Sequence, residues 1–92
     1  MSRAAQYLLA VYILGHENDP PIPTNAVAET LDRSPATVTE TFQRLEEDGL
    51  VEYEAYNGVT LTDAGRERAG ELHETYVTVS WFFRSVLDLD DY

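Results

Sequence analysis

The stretch SPATVTETFQRLEEDGLVEYEAYNGVTLT, residues 34–62, contains the local signals that decide the fold. Ser34 is a good N-cap, and Pro35 suits the first helical position because its missing N–H would have no partner inside the helix. Apolar residues then recur at helical spacing, at Val38, Phe42 and Leu45. This pattern predicts an amphipathic helix that runs to about Asp48 and ends at Gly49 in a left-handed cap.

A β-hairpin is predicted directly after that helix. Residues 51–55 alternate apolar and acidic side chains, which is typical of a half-exposed strand. Asn57-Gly58 predicts a two-residue turn, and residues 59–61 form the returning strand. Thr62 is a suitable N-cap for a fourth helix, which we expect within residues 63–89.

Two shorter helices are predicted before this stretch. The first runs from Ala4 to Leu14 and is apolar over more than half of its circumference, so it should contact two partners. The prolines in residues 18–21 predict a loop, and residues 24–31 form the second helix. The order helix, helix, turn, helix, hairpin, helix predicts one mainly α domain over residues 1–92. This is the winged helix-turn-helix architecture, with a three-helix core, a β-hairpin wing and a long C-terminal helix.

The same residues resemble a known family. Residues 22–31 and 34–51 are similar to the helix-turn-helix of the diphtheria toxin repressor family, the iron- and manganese-dependent repressors. Residues 6–12 resemble that family's first helix, and residues 56–65 resemble its wing and the start of its fourth helix. The resemblance implies the N-terminal DNA-binding domain of a transcriptional regulator. Regulators of the multiple-antibiotic-resistance type are neighbours in the same general fold.

The resemblance does not extend to the family's metal ligands. By alignment with the family, the ligand positions fall on Gln6, Leu9, Tyr76 and Ser80, where carboxylates and imidazoles would be needed. Leu9 cannot coordinate a cation, and the other three are poor replacements. The remaining ligands would fall after Tyr92. We therefore expect a metal-independent protein that uses no cofactor.

The charge composition is unusual. Seventeen acidic residues face six basic ones, all six are arginine, and the net charge is −11. An acidic surface for a protein partner is one explanation, and a cytoplasm of molar salt is another. The acids are spread along the whole chain, which favours salt adaptation of a halophilic archaeal kind, with inorganic cations bound to the carboxylates.

The helix over residues 35–48 is the candidate for reading DNA. Residues 33–39 contain no acid, whereas Glu46, Glu47 and Asp48 crowd the other end, so the N-terminal half is clear for an anionic ligand. The predicted DNA-contacting residues are Arg33, Ser34, Pro35, Ala36, Thr37, Thr39, Glu40, Gln43 and Arg44, with Tyr56 and Asn57 from the wing. Tyr56 either lies on the sugar–phosphate backbone or only covers the hairpin.

These residues predict a DNA-binding transcriptional regulator that reads the major groove of double-stranded DNA and works at high salt. The alternative is an acidic winged-helix module that binds protein and does not contact DNA. The absence of a basic surface favours that alternative.

The last helix predicts a homodimer. It carries too many large apolar groups for one face of one helix in so small a domain, and an exposed apolar patch usually marks an interface. The predicted interface residues are Tyr76, Val79, Trp81, Phe82, Phe83, Val86 and Leu87. A dimer would present two reading helices to a two-fold operator.

Other functions lack their sequence signals. The chain has no cysteine, no phosphate-binding glycine loop, no nucleophile-plus-base spacing and no zinc motif, so we expect no catalytic residues and no enzyme. His16 and His73 are predicted to be surface residues and not ligands. Without a signal-peptide pattern or an apolar run of membrane-spanning length, the expectation is a cytoplasmic protein with no membrane partner.

Overall fold

The computed structural model describes residues 2–87, with side chains for residues 2–75. Four helices and one hairpin follow each other in the predicted order. Their bounds are α1 Arg3–Leu14, α2 Thr24–Leu31, α3 Pro35–Glu47, β1 Val51–Glu54, β2 Gly58–Leu61 and α4 Asp63–Leu87. The predicted winged helix-turn-helix order is confirmed. None of the described helices has an apolar stretch long enough to cross a membrane.

Local caps set the helix starts. The Ser34 hydroxyl accepts a hydrogen bond from the Thr37 N–H at 3.2 Å, with Pro35 in the first helical position, as predicted. Ser2 caps α1 in the same way, accepting from the Ala5 N–H at 3.1 Å, so α1 begins one residue earlier than expected. Gly49 follows α3 with φ 79°, the left-handed conformation that the sequence predicts.

The core is one cluster of buried residues to which all four helices and both strands of the hairpin contribute. Tyr7 of α1 is completely buried and meets the buried ring of Phe42 edge-on, with ring centroids 6.1 Å apart at 89°. Val38 and Leu45 are buried on the same side of α3, as the helical spacing predicts. This packing fixes α3 by its apolar side and leaves its opposite side to solvent.

The hairpin turn differs from the prediction. Glu54 pairs with Gly58, so three residues form the loop instead of the two-residue Asn57-Gly58 turn. Tyr56 takes the left-handed conformation with φ 72°, and the Asn57 N–H bonds to the Glu54 carbonyl at 3.1 Å. The predicted two-residue turn is wrong because Gly58 is the first residue of strand β2, where Ile22 approaches its backbone, and is not part of the turn.

Gly58 allows a third segment to approach the wing. Ile22 forms an isolated antiparallel bridge with Val59, through N–O hydrogen bonds of 2.8 and 2.9 Å. A Cβ on Gly58 would overlap the Ile22 carbonyl and lie 3.1 Å from the Cα of Pro23. The segment before α2 therefore extends the hairpin, a contact that the sequence did not predict.

The start of α4 is docked on the end of α3. The Thr62 hydroxyl accepts from the Gly65 N–H at 3.1 Å, which confirms the predicted cap, and donates to the Gly49 carbonyl at 2.7 Å. The Thr62 N–H bonds to the Leu50 carbonyl at 3.1 Å. The first turn of α4 is thereby fixed against the segment that joins α3 to the wing.

Candidate nucleic-acid interface

The side of α3 opposite its buried residues is mostly exposed. We call it the reading face, and it consists of Ala36, Thr39, Glu40, Gln43 and Arg44. Thr39 is half-buried and the other four are exposed. All five are predicted DNA-contacting residues, and the apolar side of the same helix holds them in one orientation. The reading face is therefore a rigid polar surface.

The N-terminal turn of α3 has fewer unused donors than the sequence indicates. Ser34 donates its proton to the Thr37 hydroxyl at 2.9 Å and accepts from the Thr37 N–H, so both groups are already engaged. Thr37 is half-buried, although it was predicted on the exposed face. Pro35 is exposed and has no N–H. Among the described residues, the Ala36 N–H is the first-turn donor that remains without a partner.

Three arginines lie on or near the reading face. Arg33 is exposed just before α3, and Arg44 is exposed on it. Arg3, at the start of α1, lies across a cleft of about 390 Å³ from Arg44, with Glu40 and Asp48 also lining that cleft. Sequence reasoning missed Arg3. The only sequence signal for Arg3 was that the chain has just six basic residues, so each of them is a candidate for binding an anion.

These arginines are not neutralised by the many acids. Within the described part of the chain, one ion pair has its charged atoms within 4.0 Å, between Arg66 and Asp63 at 3.6 Å. Arg3, Arg33 and Arg44 are thus available to an external anion in a protein of net charge −11.

One of the acids at the end of α3 has a structural role. The Glu46 carboxylate accepts a hydrogen bond from the Tyr53 N–H at 3.0 Å and so ties the end of α3 to strand β1. This bond was not predicted from the sequence. Glu47 and Asp48 are exposed. Of the three acids at the end of α3, Glu46 therefore helps to hold the helix against the wing.

The wing tip projects into solvent. The Tyr56 side chain is fully exposed, with a relative accessibility of 105%, so it does not cover the hairpin. That alternative is wrong. The Asn57 amide, predicted to contact DNA, donates to the Glu54 carboxylate at 3.2 Å. Tyr56 is left as the projecting group of the wing.

The two histidines lie close together, a contact that was not predicted from the sequence. The rings of His16 and His73 are 6.2 Å apart and nearly parallel, at 29°. Both also contact the ring of Tyr12, at 4.8 and 5.5 Å. His16 bonds through Nδ1 to the Tyr12 carbonyl at 2.7 Å. They join the end of α1 to the middle of α4.

The residues at the family's metal-ligand positions do not fit a metal in the described part. Leu9 is buried and has no donor atom, and Gln6 is half-buried. Among the residues whose side chains are described, no group of three or more His, Asp or Glu could hold a metal ion. Tyr76 and Ser80 lie outside the described side chains. So do the predicted interface residues Tyr76, Val79, Trp81, Phe82, Phe83, Val86 and Leu87.

Known structures share the fold. A crystal structure of the DNA complex of MepR from Staphylococcus aureus has a TM-score of 0.70 at 17% identity, over 99% of this chain and 68% of that one. MepR, a transcription regulator of the multidrug efflux pump MepA, gives a TM-score of 0.66 at 20% identity in a second structure, over 92% of this chain and 64% of that one. At this identity the likeness establishes the winged-helix fold alone.

Sequence relatives identify the family. An uncharacterised HTH-type transcriptional regulator of Methanocaldococcus jannaschii, MJ0568, is 36% identical over 85 residues, which cover 92% of this chain and 68% of that protein. The HTH-type transcriptional regulator MntR of Lysinibacillus sphaericus is 35% identical over 60 residues, or 65% of this chain and 43% of that protein. Residues 1–59 match the family model of the iron dependent repressor, N-terminal DNA binding domain. The chain therefore belongs to the iron-dependent repressor family of DNA-binding transcriptional regulators.

Proposed function

We propose that this protein regulates transcription by placing the reading face of α3 in the major groove of duplex DNA. The observation that carries the proposal is the combination of an exposed, mostly polar helix face with three arginines on or near it that form no ion pair within the described residues. The 13 residues of α3 span about 20 Å at 1.5 Å per residue, enough to enter a groove about 12 Å wide. Its known relatives are regulators, which fits a non-enzymatic role in the cytoplasm.

The side chains of the reading face match the donor and acceptor patterns of base edges. Gln43 is suited to adenine, Arg44 to guanine or a phosphate, and Glu40 to the amino group of cytosine. Ala36 is small enough to contact a thymine methyl group, and its free N–H suits a phosphate oxygen. Thr39 offers a hydroxyl to either a base or a phosphate.

Phosphate contacts would come from the surrounding groups. Arg33 precedes the reading helix and Arg3 lines the cleft beside Arg44, so both would bind phosphates near the reading face, and a guanidinium binds phosphate in two-point geometry. Tyr56 at the exposed wing tip would lie on the sugar–phosphate backbone. These contacts orient α3 and carry no sequence information themselves.

High salt removes the main objection to DNA binding by so acidic a protein. Affinity that depends on about six phosphate contacts falls by roughly five orders of magnitude for a tenfold rise in salt. Ionic attraction is therefore of little use in molar salt, and close fit with uncharged donors contributes more. The acids cost little affinity there, because repulsion between exposed charges is screened within about 3 Å at 1 M.

We expect DNA binding to persist in molar KCl and to need no added metal. The measurement is fluorescence anisotropy of labelled genomic fragments titrated with the protein from low to molar KCl, with and without a chelator. A steep loss of affinity toward molar KCl would contradict the salt account. A requirement for Mn²⁺ or Fe²⁺ would contradict metal independence.

One observation favours a protein-binding module instead. Glu40 and Glu47 are both exposed on α3, next to the positions assigned to base contacts. An acidic helix of this kind suits a basic protein partner. The same titration separates the two functions, since a module of that kind would bind no fragment at any salt concentration.

We also propose that the protein is a homodimer joined through the segment 63–89, which includes the fourth helix. The apolar residues toward the end of that helix exceed what one face needs, and two-fold symmetry would set two reading faces on two half-sites. Sedimentation equilibrium in molar KCl should give the mass of two chains. A mass of one chain at every concentration tested would reject the dimer.

A further inference from the structure

We propose that the cavity between α1, the wing and α4 is a binding site for a small aromatic carboxylate. The cavity has a volume of about 340 Å³. Its walls come from α1 and the loop that follows it, from strand β2 and from α4, and they include Val11, Tyr12, His16, Ile22, Val59 and Arg66. No part of the proposed DNA contact lies in it. The inference therefore does not depend on the proposed function.

The charge of the lining selects an anion. This cavity is lined by one arginine and one histidine and by no acidic residue, in a chain that has 17 acids. Two cavities of similar volume each contain two acids: Glu40 and Asp48 line the cleft beside Arg44, and Glu67 and Glu71 line a groove between α1 and α4. The lining of this cavity therefore differs from that of the other two, because it carries basic side chains without acidic ones.

Arg66 is the group that would bind the carboxylate. Its guanidinium is 3.6 Å from the Asp63 carboxylate, but Asp63 is fully exposed, so that pair contributes little. Arg66 lines the cavity and its side chain is 59% exposed, so its guanidinium can turn toward a carboxylate bound there and form charge-assisted hydrogen bonds with it. Because the pair with Asp63 is weak, such a ligand can replace it.

The remaining walls fit a flat apolar body. Val11, Ile22 and Val59 are almost completely buried and form the apolar floor. The rings of Tyr12 and His16 stand at 70° to each other with centroids 4.8 Å apart, and together they form an aromatic wall. A carbonyl oxygen can only accept, so His16 must donate from Nδ1 to the Tyr12 carbonyl, which holds its ring in place.

The size of the cavity limits the ligand to one ring. Small-molecule sites range from roughly 300 to 1,000 Å³, and this cavity is at the lower end. A ligand that contacts both Leu61 of β2 and Arg66 of α4 would join the wing to the fourth helix. Such a site would let a metabolite stabilise one position of the wing.

Calorimetric titration of the full chain with benzoate, at the lowest KCl concentration that keeps it folded, tests the site. We expect 1:1 binding of benzoate, with benzamide, its neutral analogue of the same shape, at least tenfold weaker. Arg66→Gln should weaken benzoate binding about tenfold, the value of one charge-assisted hydrogen bond of about 1.4 kcal/mol. Arg68→Gln, two residues along the same helix and also exposed, should leave it unchanged.

The location is checked without any variant, by methyl NMR shifts of Val11 and Val59 during the benzoate titration. Equal affinity for benzoate and benzamide, no saturable binding, or equal losses in the two arginine variants would overturn the proposal. Because no DNA is present, its failure would leave the DNA-binding proposal standing, and the converse also holds.

Discussion

Replacing Gly65 with alanine should lower the free energy of unfolding by about 3 kcal/mol or more, the upper end of the cost of overpacking. A Cβ at this position would overlap the carbonyl oxygen of Leu50 and lie 3.3 Å from its Cα. Both are backbone atoms, so no side-chain rotation relieves the overlap. The Leu50 carbonyl is also fixed by its hydrogen bond from the Thr62 N–H.

Gly70 in the same helix provides the matched control. Its added Cβ would meet the Tyr12 hydroxyl oxygen at 3.6 Å, an ordinary contact. Alanine is favoured over glycine inside a helix by up to about 1 kcal/mol, so Gly70→Ala should be neutral or stabilising. Thermal unfolding followed by circular dichroism compares the two, at roughly 4–8 °C per kcal/mol for a domain of this size. Equal midpoints for the two variants would disprove the close contact between α4 and Leu50.

The contact matters beyond stability because Leu50 joins α3 to the wing. Thr62 and Gly65 hold the start of α4 against the carbonyls of Gly49 and Leu50, directly after the reading helix. A shift of α4 at this point would therefore be transmitted to the orientation of α3. This is the physical link between the helix proposed for dimerisation and the helix proposed for DNA.

Features that depend on neighbouring residues could be predicted from the sequence. The caps at Ser34, Gly49 and Thr62 involve residues a few positions apart, and each is found where the sequence places it. The wing turn failed for the opposite reason. Asn57-Gly58 is a strong local turn signal, but the tertiary approach of Ile22 requires the glycine at the start of β2.

In the candidate site, too, local features could be predicted from the sequence and tertiary contacts could not. The reading face follows from the helical spacing of the apolar residues in α3, so its members could be chosen from the sequence. Arg3 beside Arg44, and His16 beside His73, depend on how α1 packs against α3 and α4. Pairings of this kind have no local signature, and sequence reasoning left all four residues apart.

Gln43→Glu should weaken DNA binding on the order of 100-fold. Gln43 is exposed in the middle of the reading face, so the substitution keeps the shape and leaves the core untouched. It removes the amide donor, and a good two-point base contact contributes about 1–3 kcal/mol. It also places a negative charge beside the phosphates, at a distance where screening in molar KCl is incomplete. If each effect contributes about 1.4 kcal/mol, each lowers the affinity about tenfold, and together they lower it about 100-fold.

Arg68→Gln separates this local effect from the overall charge of the protein. Both substitutions lower the net charge by one unit, and both positions are exposed on helices. If DNA binding responded to net charge alone, the two variants would lose equal affinity in anisotropy titrations at one fixed KCl concentration. We expect a large loss for Gln43→Glu and less than a twofold change for Arg68→Gln. The opposite ranking would place the DNA on α4 and not on α3, because only then would an arginine of the fourth helix matter more than the centre of the reading face.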